Sequence, residues 1–349
     1  MNGSVNALHY HINKGGFYMK YMLKPIKAGK LTLNNRLVMP PMATSKATIE
    51  GMVTQDIIDY YAEKSAGGYI SLIIIEHSFI MLEGKASEKQ MSIAEDSMIL
   101  KLKALAEVIH KNGTMAVMQI NHAGSAASQA VTGTTPVGPS AVPRPGKVDV
   151  PRELTVAEIA NVIQSFAAAA GRVKEAGFDG VEIHSAHGYL LSQFFSPLTN
   201  KRTDEYGCDV YGRIHIHLQI IEAVRAAVGE DFPILLRLGA SDFLEGGVTI
   251  EDSQVAAKEF EKEGICMLDI SGGFSGYSAA DMAERQGYFS PLTEAIKKVV
   301  TIPVILTGGI TDIDAAEQLL AEGKTDLIGV GRAILKDSKW AQKSIDSLR

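Results

Sequence analysis

Short apolar runs of strand length alternate along this chain with longer stretches whose apolar residues recur at helical spacing. The strand-like runs are Arg36–Met39, Ile70–Ile75, Met115–Gln119, Gly180–His184, Ile234–Arg237, Met267–Ile270, Val304–Leu306 and Leu327–Val330. Helical periodicity fills Ser97–Lys111, Val156–Ala176, Ile214–Val228, Glu251–Glu263, Leu292–Val300 and Asp312–Glu322. Punctuation agrees: Thr155 stands three positions before Glu158 in capping-box spacing, and glycine closes helices at Gly113, Gly177, Gly264 and Gly323. Apolar strands that alternate strictly with helices predict a parallel sheet covered by those helices. Eight such repeats favour closure into an α/β (β/α)8 TIM barrel over an open doubly wound sheet. Residues 23–349 make up this single domain, and no second domain is expected, since the chain stops one helix after the eighth strand. Residues 1–22 lack the apolar core and cleavage site of a secretory signal and read as a flexible N-terminal leader.

In such a barrel the reacting groups stand where strands end and loops begin. The strand ends here carry Pro40-Pro41-Met42-Ala43-Thr44, Glu76-His77, Gln119 with Asn121-His122, and His184-Ser-Ala-His187-Gly-Tyr189. They continue with Arg237, Ser271-Gly272-Gly273, Thr307-Gly308-Gly309 and Gly331-Arg332. Gly-Gly after one strand is a weak signal, because tight βα turns often need glycine. Two adjacent turns, the second carrying Arg332, suit a phosphate held on backbone N–H groups and a guanidinium.

Arg237 interrupts the apolar run Pro233–Gly239, and an unpaired charge there would be costly. It serves either a buried ion pair, with Glu182 or Glu76, or a polar cofactor ring. His184 and His187 admit three readings: metal ligands, a structural pair, or two N–H donors that polarise a carbonyl. A metal would need a third ligand, and no HExxH pattern or cysteine cluster supplies one. Tyr189 is either packed with its hydroxyl satisfied or a proton donor to a developing carbanion. Gln119 caps its strand or bonds the edge of a heterocycle.

Composition narrows the partners. The 349 residues carry a net charge of −6 with no basic stripe, so nucleic acid is not expected. Apolar residues make up 46% of the chain, yet no uninterrupted run reaches membrane-spanning length. Cys208 and Cys266 are the two cysteines, read as unpaired thiols in a reducing cytoplasm.

Several segments together resemble the old yellow enzyme family of NAD(P)H:flavin oxidoreductases. They are LKPIKAGKLTLNNRLVMPPMAT near the start, QINHAG at 119–124, EAGFDGVEIHSAHGYLLSQFFSPLTNKRTDEYG at 175–207 and the closing LIGVGRAILKD. The resemblance runs from about Leu23 to the end and implies a (β/α)8 barrel with non-covalent FMN at its mouth. On that pattern Pro40, Pro41, Met42 and Ala43 run along the flavin, Gln119 bonds its pyrimidine edge, and Arg237 faces its N1–C2 region. Gly309, Gly331 and Arg332 hold the phosphate, with Gly273 and Gly308 also counted as cofactor-binding. His77 takes a position that is small in relatives and close to FMN. His184 and His187 bind the substrate carbonyl and Tyr189 donates the proton. The implied mechanism is ping-pong: NADH or NADPH reduces the flavin, and an α,β-unsaturated carbonyl compound then takes hydride from it. The family also implies a homo-oligomer.

Relatives commonly have Cys or Thr where Ala43 stands, to bond the flavin carbonyl beside N5. Alanine cannot, which implies a lower reduction potential unless Thr44 compensates. The stretch Cys208-Asp-Val-Tyr-Gly-Arg213 also departs from the family's Gly-Ser and Asn-Arg pattern. Relatives with an iron–sulfur cluster and an added dinucleotide domain are not matched as whole proteins, for want of a cysteine cluster and length. Two alternatives stay open: another flavin-barrel chemistry, such as demethylation or nitro or nitrate-ester reduction, and a phosphate-binding barrel isomerase. No lysine at an interior strand end supports a Schiff-base aldolase.

Overall fold

The computed structural model describes residues 20–276 and 285–349. Eight parallel strands close into a barrel. They are β1 (Leu37–Met39), β2 (Leu72–Phe79), β3 (Met115–Asn121), β4 (Gly180–Ser185), β5 (Ile234–Gly239), β6 (Met267–Ser271), β7 (Val304–Thr307) and β8 (Leu327–Gly329). Each pairs with its sequence neighbours, and β8 closes on β1 through Ile328↔Leu37 and Gly329↔Val38. Every strand read from the sequence is present.

Period-two alternation divides the barrel interior into two tiers. Early in the strands, Val38, Leu72, Ile74, Val117, Leu235, Met267, Ile305 and Leu327 point inward and form one buried apolar cluster. An antiparallel hairpin, Ile26–Ala28 with Leu31–Leu33, plugs this end, and Ala28, Leu31 and Leu33 join the cluster. Two residues later the inward positions are polar: Gln119, Glu182, Arg237 and Asp269 are all buried. The apolar tier holds the barrel shut, and the polar tier forms the floor of whatever binds above it.

The helices follow the sequence with instructive exceptions. Val156–Glu175 begins on the expected capping box: Thr155 Oγ1 accepts from Glu158 N, and Glu158 Oε2 accepts from Thr155 N. Gln55–Ser65, between β1 and β2, was not legible, because Ile57 and Tyr61 alone make up its buried apolar stripe. Val210–Val228 starts four residues before the expected Ile214, with Asp209 accepting from Gly212 N. The departing 208–213 loop packs tightly: a Cβ at Gly212 would lie 1.9 Å from Gly207 O, and Arg213 Nε donates to Phe195 O at 2.8 Å. Both cysteines are free.

The expected leader falls on residues 1–19, outside the described residues, except for its end. Met22 belongs to the fold, fully buried, and Tyr21 N and Met22 N donate to the Glu317 carboxylate. Among the described residues no helix is long and apolar enough to cross a membrane.

Candidate active site

The strand C-termini open into a cavity of about 760 Å³, within the range of small-molecule and cofactor sites. Its lining brings together Pro40, Pro41, Met42, Ala43, His77, Gln119, His184, His187, Tyr189, Arg237, Gly308, Gly309, Gly331 and Arg332. Gly273 does not line it; its N–H donates to Ser241 O, and a Cβ there would lie 2.1 Å from Asp242 Oδ1. Asn121 and His122 also stand behind the wall, buried, with His122 Nδ1 accepting from Gly124 N. Lining residues that the sequence did not single out include Arg144 and Lys147 from the long loop after β3, together with Tyr288 and Leu335. That loop has no periodicity to place it.

The floor is a polar lattice. Gln119 Nε2 donates to Glu182 Oε1 at 2.7 Å, and Thr307 Oγ1 donates to Asp269 Oδ1 at 2.8 Å. Arg237 Nε stands 3.3 Å from Asp269 Oδ2, an ion pair whose angle falls short of a hydrogen bond. The sequence suggested Glu182 or Glu76 as that partner; Asp269 takes the place because it pairs directly with Arg237 in the β5–β6 register. Asp269 was legible by the argument used for Arg237, a charge inside an apolar strand. Two carboxylates share one cation here, so burial, and after it the charge of Asp269, pushes Glu182 up to about 8. Glu76 is held elsewhere: Thr44 donates both N–H and O–H to it at 2.7 Å. The Thr44 hydroxyl is thus committed to Glu76 and does not replace the donor that Ala43 lacks.

His184 and His187 converge through a tight turn that precedes the next helix. His187 and Gly188 both adopt left-handed backbone, φ 60° and 69°, and the following helix Leu190–Phe195 starts only after Tyr189. A left-handed non-glycine residue is costly, and its surroundings must hold it. His187 N donates to Gly272 O, and His187 Nε2 shares a hydrogen bond of 2.9 Å with Ser271 Oγ. This turn brings the His184 and His187 rings to 5.1 Å and the His184 and Tyr189 rings to 5.3 Å between centroids. Burial holds both imidazoles well below their usual range, so they stay neutral. No group of three or more metal-ligating side chains occurs among the described residues.

On the opposite wall, a Cβ at Gly309 (φ 68°) would lie 2.5 Å from the Tyr288 ring, and one at Gly331 would lie 3.1 Å from Met42 Sδ. Backbone bare of side chains lines the cavity at both points, as does Arg332, whose Nη2 donates to the Tyr288 hydroxyl at 3.4 Å. The cradle fits a phosphate, and the polar floor fits a flat ring rich in carbonyl and N–H groups.

Residues 21–348 match the family model of the NADH:flavin oxidoreductase / NADH oxidase family. The chain belongs to this family. FMN is the cofactor of this family, and old yellow enzymes are among the chain's structural neighbours. The chain is 43% identical to an NADH oxidase of Thermoanaerobacter brockii over 91% of its own length and 50% of the relative's. It is 36% identical to an NADPH dehydrogenase of Clostridium acetobutylicum, covering 90% of this chain and 91% of that one. The chain thus spans about half the length of some curated relatives and nearly all of others. Among solved structures, a 2-naphthoyl-CoA reductase complex superposes with a TM-score of 0.89 at 31% identity, covering 94% of this chain and 52% of that one. The old yellow enzyme homologue of Zymomonas mobilis superposes with a TM-score of 0.81 at 28% identity, covering 93% and 92%. For this flavin oxidoreductase, FMN would be held by Gln119 and Arg237 at the ring and by Gly308, Gly309, Gly331 and Arg332 at the phosphate.

Proposed function

We propose that this protein reduces the carbon–carbon double bond of α,β-unsaturated carbonyl compounds with NAD(P)H. The observation that carries this reading is the convergence of His184, His187 and Tyr189 on the cavity that holds the phosphate cradle. Gln119, Arg237 and the cradle of Gly309, Gly331 and Arg332 would hold FMN, which would supply the redox chemistry that links oxidation of NAD(P)H to delivery of hydride at the acceptor's β-carbon. Neutral His184 and His187 donate N–H to the acceptor's carbonyl oxygen and stabilise the charge that builds there. The Tyr189 hydroxyl gives its proton to the α-carbon and regains one from solvent. One hydride and one proton add across the double bond, and NAD(P)H is oxidised. Arg144 and Lys147 on the cavity wall favour donors or acceptors with an anionic tail.

The test is the visible spectrum of the purified protein under anaerobic conditions. Flavin bands that bleach with NAD(P)H and return on adding an enone are expected. A protein that cannot be loaded with FMN, or whose reduced flavin ignores enones, would overturn the proposal.

A further inference from the structure

The mechanism above gives His77 no task, yet its surroundings fix its protonation from behind. Ala86 N–H can only donate, so the Gln90 atom it meets at 2.6 Å is the amide oxygen. The other end of that amide, Nε2, therefore donates its two hydrogens to His77 Nδ1 at 2.6 Å and to the His77 carbonyl oxygen at 3.2 Å. Nδ1 is an acceptor, which leaves the ring's proton on Nε2. A second proton would set two N–H groups against each other at Nδ1. Burial works in the same direction, with the charge of Arg237 second, and holds His77 down to about 4. Gln90 is itself buried, so water does not compete for this arrangement.

The His77 ring lines the cavity, its plane within 21° of His184 at 6.4 Å and its centroid 5.4 Å from Tyr189. Nε2 takes no partner among the described residues. We infer that His77 is a fixed, neutral N–H donor to a carbonyl oxygen held in this cavity, and that Gln90 is the positioning residue that sets its tautomer. That oxygen belongs either to the flavin ring or to the acceptor, and the inference rests on the proposed flavin-reductase function. A neutral donor polarises the carbonyl without placing a second full positive charge beside Arg237.

Two holoenzyme variants separate the cases: His77→Met, which removes the donor, and His77→Gln, which keeps an N–H at its tip. The flavin midpoint potential is measured without acceptor, and the Kd of a simple cyclic enone for the oxidised holoenzyme is read from the visible bands. One hydrogen bond corresponds to about a tenfold change, which for a two-electron flavin equilibrium is about 30 mV. His77→Met should lower the potential or weaken enone binding by about that factor, equally at about pH 6 and about pH 9, with at least partial recovery in His77→Gln. A shift in potential assigns the bond to the flavin; a shift confined to the enone Kd assigns it to the acceptor. Nitrogen-15 NMR of the His77 ring should show the Nε2–H tautomer in the wild type and lose that preference in Gln90→Leu.

Changes under about twofold in both quantities would overturn the inference. So would a His77→Met effect that grows as pH falls, or an Nδ1–H tautomer in the wild type. If the wild type bleaches with NAD(P)H and the variants match it, the inference fails and the proposed function stands. If the wild type does not take up FMN, both fail together.

Discussion

Replacing Glu182 with glutamine should stabilise the FMN-free protein at alkaline pH while leaving it unchanged in mild acid. Glu182 is wholly enclosed, and its pKa is pushed from its ordinary 4.5 to about 8, first by burial and then by Asp269. Between those values the folded chain holds a proton that the unfolded chain has released. The stability linked to that proton is fully present below the unfolded pKa and is lost as pH rises toward the folded one. The slope is roughly 1.4 kcal/mol per pH unit, so over this window the loss is on the order of 4 kcal/mol. Glutamine keeps the shape, can accept the Gln119 N–H on its own oxygen, and does not titrate. Urea unfolding of both proteins at about pH 5 and about pH 8.5 measures the difference directly. The gap should open with pH in favour of Glu182→Gln. Parallel stability curves would refute the reasoning, and would mean that Glu182 is ionised in the folded protein and pairs with Arg237.

Tyr189→Phe should slow reoxidation by an enone by on the order of 10²- to 10⁴-fold and leave bleaching by NAD(P)H at its wild-type rate; stopped-flow traces slowed alike in both halves would contradict a proton-donor role. Arg332→Met removes a charge-assisted bond of about 1.5–3 kcal/mol, so the Kd for FMN should rise about 10- to 100-fold in equilibrium dialysis, and an unchanged Kd would take Arg332 out of the phosphate site. Ala43→Thr should raise the flavin midpoint potential by restoring a donor, and a potentiometric titration without a rise would show that the position does not touch the ring. Thr155→Ala removes half of the capping box and should cost about 1 kcal/mol in the same urea assay, with an equal midpoint showing that the cap contributes nothing.

Much of the site was legible because barrel closure converts a one-dimensional rule into a place. Once β1 to β8 were found, the residues at their ends had to share one mouth, and so His77, Gln119, His184, Arg237 and Arg332 line a single cavity. Gly273 broke the rule because the turn after β6 packs back on Asp242 and does not face the opening. The bottom hairpin stayed hidden because strands of three residues carry almost no alternation. Gln90 and Arg144 lie on loops, where side-chain direction depends on contacts far away in sequence.

Residue types and their spacing alone determined the βα repeat, the closed parallel barrel, the capping box and the candidate list at the strand ends. Those are local properties, set by periodicity, propensity and caps within a few residues. Tertiary structure alone decided which acid Arg237 meets, where the Thr44 hydroxyl goes, and which nitrogen of His77 keeps its proton. Each of these joins groups from different segments, and its energy depends on distances of about 3 Å and on burial that no linear pattern encodes.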